Sequence, residues 1–255
     1  IFVSTPKGRN YFFELFCRGQ DSAYPDWESF TFPTSSNPYI SSEEIEEARK
    51  TLPDSVFRQE YLAEFLEDSA GVFRNIKACI RGNFEEPQEN HSYVIGWDPA
   101  KHTDFSVITV FDTTKNSIVA FDRFNQIDYT FQITRVCNLA WKYKALVLMD
   151  STGVGDPLLE QLKRTGISVE GYEFTATSKQ QLVEHLSVQI EQEAISFPPI
   201  NELIHELEIF QYEITRAGNI RYSAPQGYHD DCVMSLALAV WKARRTNTPT
   251  IWRLK

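Results

Sequence analysis

The chain has 255 residues, 42% of them hydrophobic, so it can bury a substantial core. Its formal net charge is −10, which excludes a protein that coats nucleic acid through overall charge, because such binding comes mostly from phosphates neutralised by Lys and Arg. No apolar run reaches the length of a membrane span and no signal peptide is visible, so we expect an intracellular protein without a membrane partner. The four scattered cysteines indicate free thiols rather than a zinc site.

Residues 1–70 differ in composition from the rest of the chain. A short helix is predicted at 10–16, and residues 21–40 have the Pro, Ser and Asn content of a loop. Ser41 then caps a helix with an acidic first turn, and a second amphipathic helix covers about 54–65. These pieces do not make packed layers of their own, so we expect them to belong with a segment outside this chain.

From residue 71 the pattern becomes regular and predicts an α/β fold. Three strands at 92–98, 105–112 and 117–125 are joined by short turns, which makes them antiparallel neighbours. After a helix at 129–144, the continuous apolar run 145–150 is typical of a central strand covered on both faces. The remaining predicted elements are a helix at 157–166, a strand at 169–174, a helix at 178–193, a short edge strand at 195–197, a helix at 201–210, a hairpin at 212–223 and a helix at 231–243. This order predicts a mixed sheet, three antiparallel strands followed by parallel ones, with helices on both faces.

Three of these elements begin or end with an acidic residue. Asp98 ends the first strand just before Pro99, Asp150 ends the central strand, and Asp231 opens the last helix. Sites in open α/β sheets gather at the carboxyl ends of the strands. If the first and fourth strands are parallel neighbours, Asp98 and Asp150 therefore lie side by side.

Carboxylates gathered in this way require a proton or a cation to compensate their charge. Two of them about 4 Å apart repel by roughly 4 kcal/mol at an effective dielectric constant of 20. Oxygen ligands favour Mg²⁺ or Mn²⁺, and two such ions can activate water and stabilise the leaving oxygen of a phosphodiester. Each Asp alone is also explained as a turn residue or a helix cap. Their coincidence in these positions favours a metal-dependent phosphodiesterase with Asp98, Asp150 and Asp231 as catalytic ligands.

Further charged residues surround this constellation in the sequence. Asp230 and Asp104 are secondary candidates for metal ligands, although Asp104 alone resembles a turn residue, and spacing leaves open whether Asp230 or Asp231 is the primary ligand. No glycine-rich phosphate-binding motif is present, so nucleotide binding has no support. Surface Lys and Arg usually only solvate a face, but four are candidates for DNA phosphate contacts: Lys101, Lys179, Arg216 and Arg221.

These motifs together resemble a known family, the large terminase subunit of tailed bacteriophages and herpesviruses. The resemblance to its C-terminal nuclease domain is carried by three acidic motifs, at 96–100 (Gly-Trp-Asp-Pro-Ala) with Asp104, at 148–156 and at 229–239. The Ser-Thr-Pro-Lys-Gly segment near the start of the chain resembles the end of the family's ATPase domain. The segment 59–65 (Gln-Glu-Tyr-Leu-Ala-Glu-Phe) resembles the connection between the two domains.

The resemblance implies a ribonuclease H-like fold for residues 71–255, with 1–70 as the end of an ATPase domain and a linker. It implies that Asp98, Asp150 and Asp231 bind two Mg²⁺ or Mn²⁺ ions. The implied activity is endonucleolytic cutting of concatemeric double-stranded DNA during genome packaging. The implied partners in the host cell cytoplasm are DNA, a portal protein and a small terminase subunit, within a capsid-bound oligomer. The ATPase motifs are absent, so we expect no ATP hydrolysis by this chain.

Two other interpretations remain from the sequence. One is another ribonuclease H-like nuclease of the resolvase or transposase type, which a preference for junction substrates would support. The other is a non-catalytic module that grips DNA or docks on the portal and uses its acidic residues structurally, which failure to bind Mn²⁺ would support.

Overall fold

The structure, a computed structural model, describes residues 1–6, 11–66, 71–100, 104–152, 155–214 and 220–246. Contacts within the chain divide it into two compact units, Ile1–Ala70 and Gly71–Lys255. No helix in the described ranges is long and apolar enough to cross a membrane. All four cysteines are free, as expected, and three of them are buried.

The first unit is helical and has a small aromatic core. Ser41 accepts a hydrogen bond of 3.2 Å from the backbone of Glu44, which is the predicted helix cap. The ring of Phe65 lies 5.0–6.0 Å from three rings of the first helix. The elements described in this unit are α1 (Tyr11–Arg18), a 3₁₀ turn (Thr34–Ser36), α2 (Ser42–Thr51) and α3 (Asp54–Glu60).

A five-stranded mixed sheet organises the second unit. Its strands are β1 (Tyr93–Asp98), β2 (Ser106–Asp112), β3 (Ser117–Phe124), β4 (Leu146–Asp150) and β5 (Val169–Tyr172). Their order across the sheet is β3-β2-β1-β4-β5. The pairs β1–β2 and β2–β3 are antiparallel, whereas β1–β4 and β4–β5 are parallel. The predicted fold class, three antiparallel strands followed by parallel ones, is therefore confirmed.

Helices cover both faces of this sheet because its strands alternate apolar side chains between two cores. Along β1, Val94 packs in one core, under the helices at 176–191, 201–209 and 231–246, whereas Ile95 and Trp97 pack in the other, under the helices at 129–143 and 155–164. A hairpin of β6 (Gln211–Ile214) and β7 (Ile220–Ser223) forms a separate small sheet. The helices described in this unit are α4 (Ile76–Cys79), α5 (Tyr129–Tyr143), α6 (Gly155–Arg164), α7 (Ala176–Glu191), α8 (Asn201–Ile209) and α9 (Asp231–Thr246).

Helix α9 lies very close to β1 at Gly96. A Cβ atom at this position would lie 2.0 Å from the carbonyl oxygen of Ser235 and 2.6 Å from the backbone nitrogen of Ala239. In turn, the Ser235 hydroxyl donates to the Gly96 carbonyl oxygen over 3.0 Å and is 2.8 Å from the Thr109 hydroxyl. Helix α9 is therefore fixed in height and rotation over the end of β1.

The predicted edge strand at 195–197 is wrong in its extent. Only two isolated parallel bridges form in this segment, Ile80 with Phe197 and Ser117 with Ser196. The ladder cannot continue because the next two residues, Pro198 and Pro199, have no N–H group to donate.

We predict that Gly96→Ala destabilises the protein by about 3 kcal/mol or more, because the new methyl group meets helix backbone rather than a flexible side chain. Denaturant unfolding followed by tryptophan fluorescence measures the change. In Gly71→Ala, the nearest atom lies 3.8 Å from the new Cβ, so this control changes the free energy of unfolding by about 1 kcal/mol or less. Equal stability of the two variants would contradict the close contact of β1 and α9.

Candidate metal centre

Asp98 and Asp150 end two adjacent parallel strands. Trp97 of β1 pairs with Met149 of β4, so the next position along the register places Asp98 beside Asp150. Pro99 follows at once and ends β1 at the carboxylate. The predicted side-by-side arrangement of these two strands is confirmed.

The pKa of Asp98 is raised by burial and by its acidic neighbours. Burial raises its pKa well above the ordinary 3.8, and the carboxylates of Asp231 and Asp150 raise it further. Asp230 adds a smaller increase in the pKa of Asp98, and the Lys179 ammonium opposes it. The carboxylates of Asp231, Asp150 and Asp230 therefore all act on the carboxyl group of Asp98.

Asp150 is oriented by the loop that follows it. Its Oδ1 atom accepts a 2.8 Å hydrogen bond from the Thr152 backbone, and the Thr152 hydroxyl accepts one of 2.7 Å from the backbone of Phe174. Burial raises the pKa of Asp150, while the bonds from Thr152 and the charge of Lys179 lower it. The loop thus fixes one carboxylate oxygen of Asp150.

Asp231 reaches the same place from the first residue of α9. Its side chain is nearly buried, and its Oδ2 atom accepts a 2.9 Å hydrogen bond from the Phe105 backbone and lies 3.7 Å from His229 Nδ1. Burial raises the pKa of Asp231 to about 6, against the hydrogen bond from Phe105. The neighbouring carboxylates of Asp104 and Asp230 add to this increase.

Asp230 is held by an ion pair with α7. The Lys179 ammonium donates to Asp230 Oδ2 over 2.9 Å. The backbone carbonyl of Asp230 accepts a 2.9 Å hydrogen bond from the backbone of Met234, and this bond belongs to the first turn of α9. Lys179 was predicted to contact DNA, and here its charge also lowers the pKa of Asp98 and Asp150. It is therefore a cation placed among the carboxylates.

Asp104 lies at the exposed border of this group. His229 Nδ1 is 3.3 Å from Asp104 Oδ1. The imidazole ring of His229 is perpendicular to the ring of Phe105, and the two ring centroids are 5.3 Å apart. The side chain of Asp104 is 63% exposed. It is thus connected to the group through His229 and through its effect on Asp231.

Glu206 of α8 belongs to this region but was not predicted. Its buried carboxylate accepts from the backbone of Cys232 at 2.8 Å and of Val233 at 3.3 Å, and so caps the first turn of α9. Burial raises its pKa to about 7 despite these bonds. In the sequence, Glu206 is an ordinary polar position of an amphipathic helix, with no signal that it faces another helix.

The other predicted contacts are placed only in part. Lys101 and Arg216 lie outside the described residues, and Arg221 is exposed on β7 of the hairpin. Among the residues that the structure does describe, no three His, Cys, Asp or Glu side chains are gathered tightly enough to hold an ion. The carboxylates therefore converge closely enough to shift each other's pKa but are not in a ligating arrangement.

Comparison with known proteins points to one family. No family model matches the chain. It is 34% identical over 269 residues to the large terminase subunit of Thermus virus P23-45, with 94% of this chain and 54% of that protein covered. The large terminase subunit of Thermus phage G20c matches with the same identity and coverage. The chain thus spans about half the length of these curated relatives.

Solved structures agree with this relationship. The crystal structure of the large terminase nuclease from thermophilic phage G20c is similar with a TM-score of 0.64 and 31% identity, over 68% of this chain and 98% of that one. The same nuclease with bound magnesium matches with equal score and coverage. Because this identity extends over nearly the whole G20c nuclease, and because the ribonuclease H-like sheet is shared, the chain belongs to the large terminase family.

Proposed function

We propose that this chain is a metal-dependent endonuclease that hydrolyses phosphodiester bonds of double-stranded DNA. The observation that carries the proposal is the convergence of Asp98, Asp150 and Asp231 from β1, β4 and α9, with the pKa of each raised. Perturbed carboxylates on rigid elements are typical of catalytic sites rather than of solvated surfaces. The membership in a family with nuclease structures supports the same activity.

The donor set fits a hard divalent cation. All the candidate ligands are carboxylate oxygens, which suit Mg²⁺ and Mn²⁺ and exclude a thiolate-type zinc site. The carboxylates repel each other at their present separation, and rotation of their side chains toward a shared cation would relieve that repulsion. The G20c nuclease was solved with magnesium and with cobalt bound, which supports a divalent cofactor here.

Each residue then has a distinct task. Asp98, Asp150 and Asp231 would hold the ions, Asp230 is positioned through Lys179, and the exposed Asp104 borders the site as a secondary ligand. Two bound Mg²⁺ or Mn²⁺ ions would supply Lewis acidity that activates water and stabilises the leaving oxygen.

Concatemeric viral DNA in the host cell cytoplasm is the substrate we infer from the family. The portal protein, the small terminase subunit and other copies in the capsid-bound motor are the inferred partners. We assign residues 1–70 to the end of an ATPase domain and a linker, because the relatives are about twice as long as the chain and include this unit in the match. The compact unit 71–255 is then the nuclease domain.

Replacing Asp98 by Asn separates catalysis from stability. We expect Asp98→Asn to reduce Mn²⁺-dependent nicking of plasmid about 10³-fold, since a central metal ligand is lost. The melting temperature of the metal-free protein should rise by a few degrees, because a carboxylate that is costly to ionise becomes neutral. Gel assays and calorimetry measure the two effects.

The matched control is Asp122→Asn, which removes a carboxylate paired with Arg135 at 2.8 Å on the opposite face of the sheet. This variant should nick plasmid at the wild-type rate. Retained nicking by Asp98→Asn would overturn the assigned site, and equal losses in both variants would show an unspecific effect of charge.

The stability of the metal-free protein should fall as the pH rises from about 4 through 6. The folded state keeps protons on Asp98, Asp150 and Asp231 that the unfolded chain releases near 3.8, so their contribution is present at low pH and lost above their folded pKa. For Asp231 alone, a pKa of about 6 corresponds to a loss of roughly 3 kcal/mol in the free energy of unfolding as the pH rises over this range. Melting curves in EDTA over this pH range measure the decline.

Millimolar Mn²⁺ should reverse the decline at pH 7, because the cation stabilises the ionised carboxylates. In Glu206→Gln, which removes another raised pKa but no proposed ligand, the stabilisation by Mn²⁺ should persist. In Asp98→Asn it should largely disappear. A protein whose melting temperature at pH 7 does not respond to Mn²⁺ would contradict the metal centre.

A further inference from the structure

Arg123 of β3 lies in one row with the carboxylates across the sheet. Asp98 pairs with Val107 of β2, and Val107 pairs with Arg123. Directly paired residues point to the same face, so the side chains of Arg123 and Asp98 are both on the face covered by α9. Two strand spacings, about 10 Å, separate them.

The Arg123 guanidinium stacks on Phe105, the residue whose backbone binds Asp231. Its central carbon lies 3.3 Å from the centroid of the Phe105 ring, and the backbone of Phe105 donates the 2.9 Å hydrogen bond to Asp231. Its charge also opposes the rise in the pKa of the Cys232 thiol that burial causes, so it is felt in the first turn of α9. A stacked guanidinium of this kind is pre-organised for a planar, bidentate contact.

No anion in the described part of the chain pairs with Arg123. Its Nε atom is buried without a hydrogen-bond partner, and no ion pair joins it to a described residue. The side chain as a whole is only partly buried, so an incoming anion would meet the outer nitrogens and gain a charge-assisted contact. Five other basic side chains of the same unit each have a carboxylate partner: Arg135, Lys115, Lys142, Lys179 and Lys242.

We propose that Arg123 binds a backbone phosphate of the DNA strand that is cut at the carboxylates. This inference rests on the proposed nuclease function and adds a binding residue that neither the sequence motifs nor the acidic group identifies. Successive charges of one strand follow about every 3.4 Å along the duplex axis, so a strand at Asp98 also reaches a guanidinium about 10 Å away. The outer nitrogens of the guanidinium would donate the bidentate hydrogen bonds that a phosphate accepts.

A single positive contact should matter in this protein because its net charge is −10. The electrostatic part of DNA binding depends on phosphates neutralised locally, and each one contributes about one unit to the slope of log K against log salt concentration. Loss of Arg123 should therefore change the salt dependence of binding, which a purely structural role would leave unchanged.

The test is DNA binding by Arg123→Gln in an Asp98→Asn background, which keeps the probe intact. A fluorescein-labelled duplex is titrated in Mg²⁺ at several KCl concentrations, and binding is followed by fluorescence anisotropy. We expect affinity to fall roughly tenfold, the effect of losing one charge-assisted contact, and the salt slope to become shallower by about 1. Arg123→Lys should keep the slope but lose part of the affinity, since it retains charge without the planar fork.

The matched control is Arg135→Gln, which changes net charge equally but removes an arginine already paired with Asp122. It should bind like the background protein. Equal slopes and affinities for Arg123→Gln and the background would overturn the phosphate contact alone, provided that the wild-type chain cuts plasmid in Mn²⁺. If the wild-type chain does not cut, the nuclease proposal fails and this inference fails with it.

Discussion

Repulsion between partly buried carboxylates is the constraint on which the candidate site in the second unit depends. Asp98, Asp150 and Asp231 come from three elements, and burial raises the pKa of each. The Lys179 ammonium offsets part of this cost through Asp230. In the metal-free protein, protons on these carboxylates lower the cost, and a bound cation would replace them, which supports our proposal of a metal centre over three independent caps.

The scaffold holds these charges in place by close backbone contact. Because Gly96 has no Cβ, α9 can lie directly on β1, and Ser235 fixes the contact by hydrogen bonding. Glu206 caps the first turn of α9, where the helix dipole also favours negative charge. The position of Asp231 therefore depends on the contact between α9 and Gly96, which lies two residues before Asp98 on β1.

The sequence predicted the sheet and the acidic group for clear physical reasons. Alternating and continuous apolar runs show strand type directly, and Pro99 after Asp98 fixes where a strand ends. It could not predict Glu206 or the Lys179–Asp230 pair, because these depend on which faces of distant helices meet. The sequence predicted a strand at 195–197, where only two isolated bridges form, at Ser196 and Phe197. A short apolar run does not show whether the neighbouring segments can complete a ladder.

The most direct test of the central claim is a crystal structure of the chain soaked with Mn²⁺, with anomalous diffraction data to locate the ions. The account predicts anomalous peaks with oxygen atoms of Asp98, Asp150 and Asp231 about 2.1 Å away, the distance typical of a small octahedral cation. An absence of anomalous peaks at these carboxylates in millimolar Mn²⁺ would contradict the account.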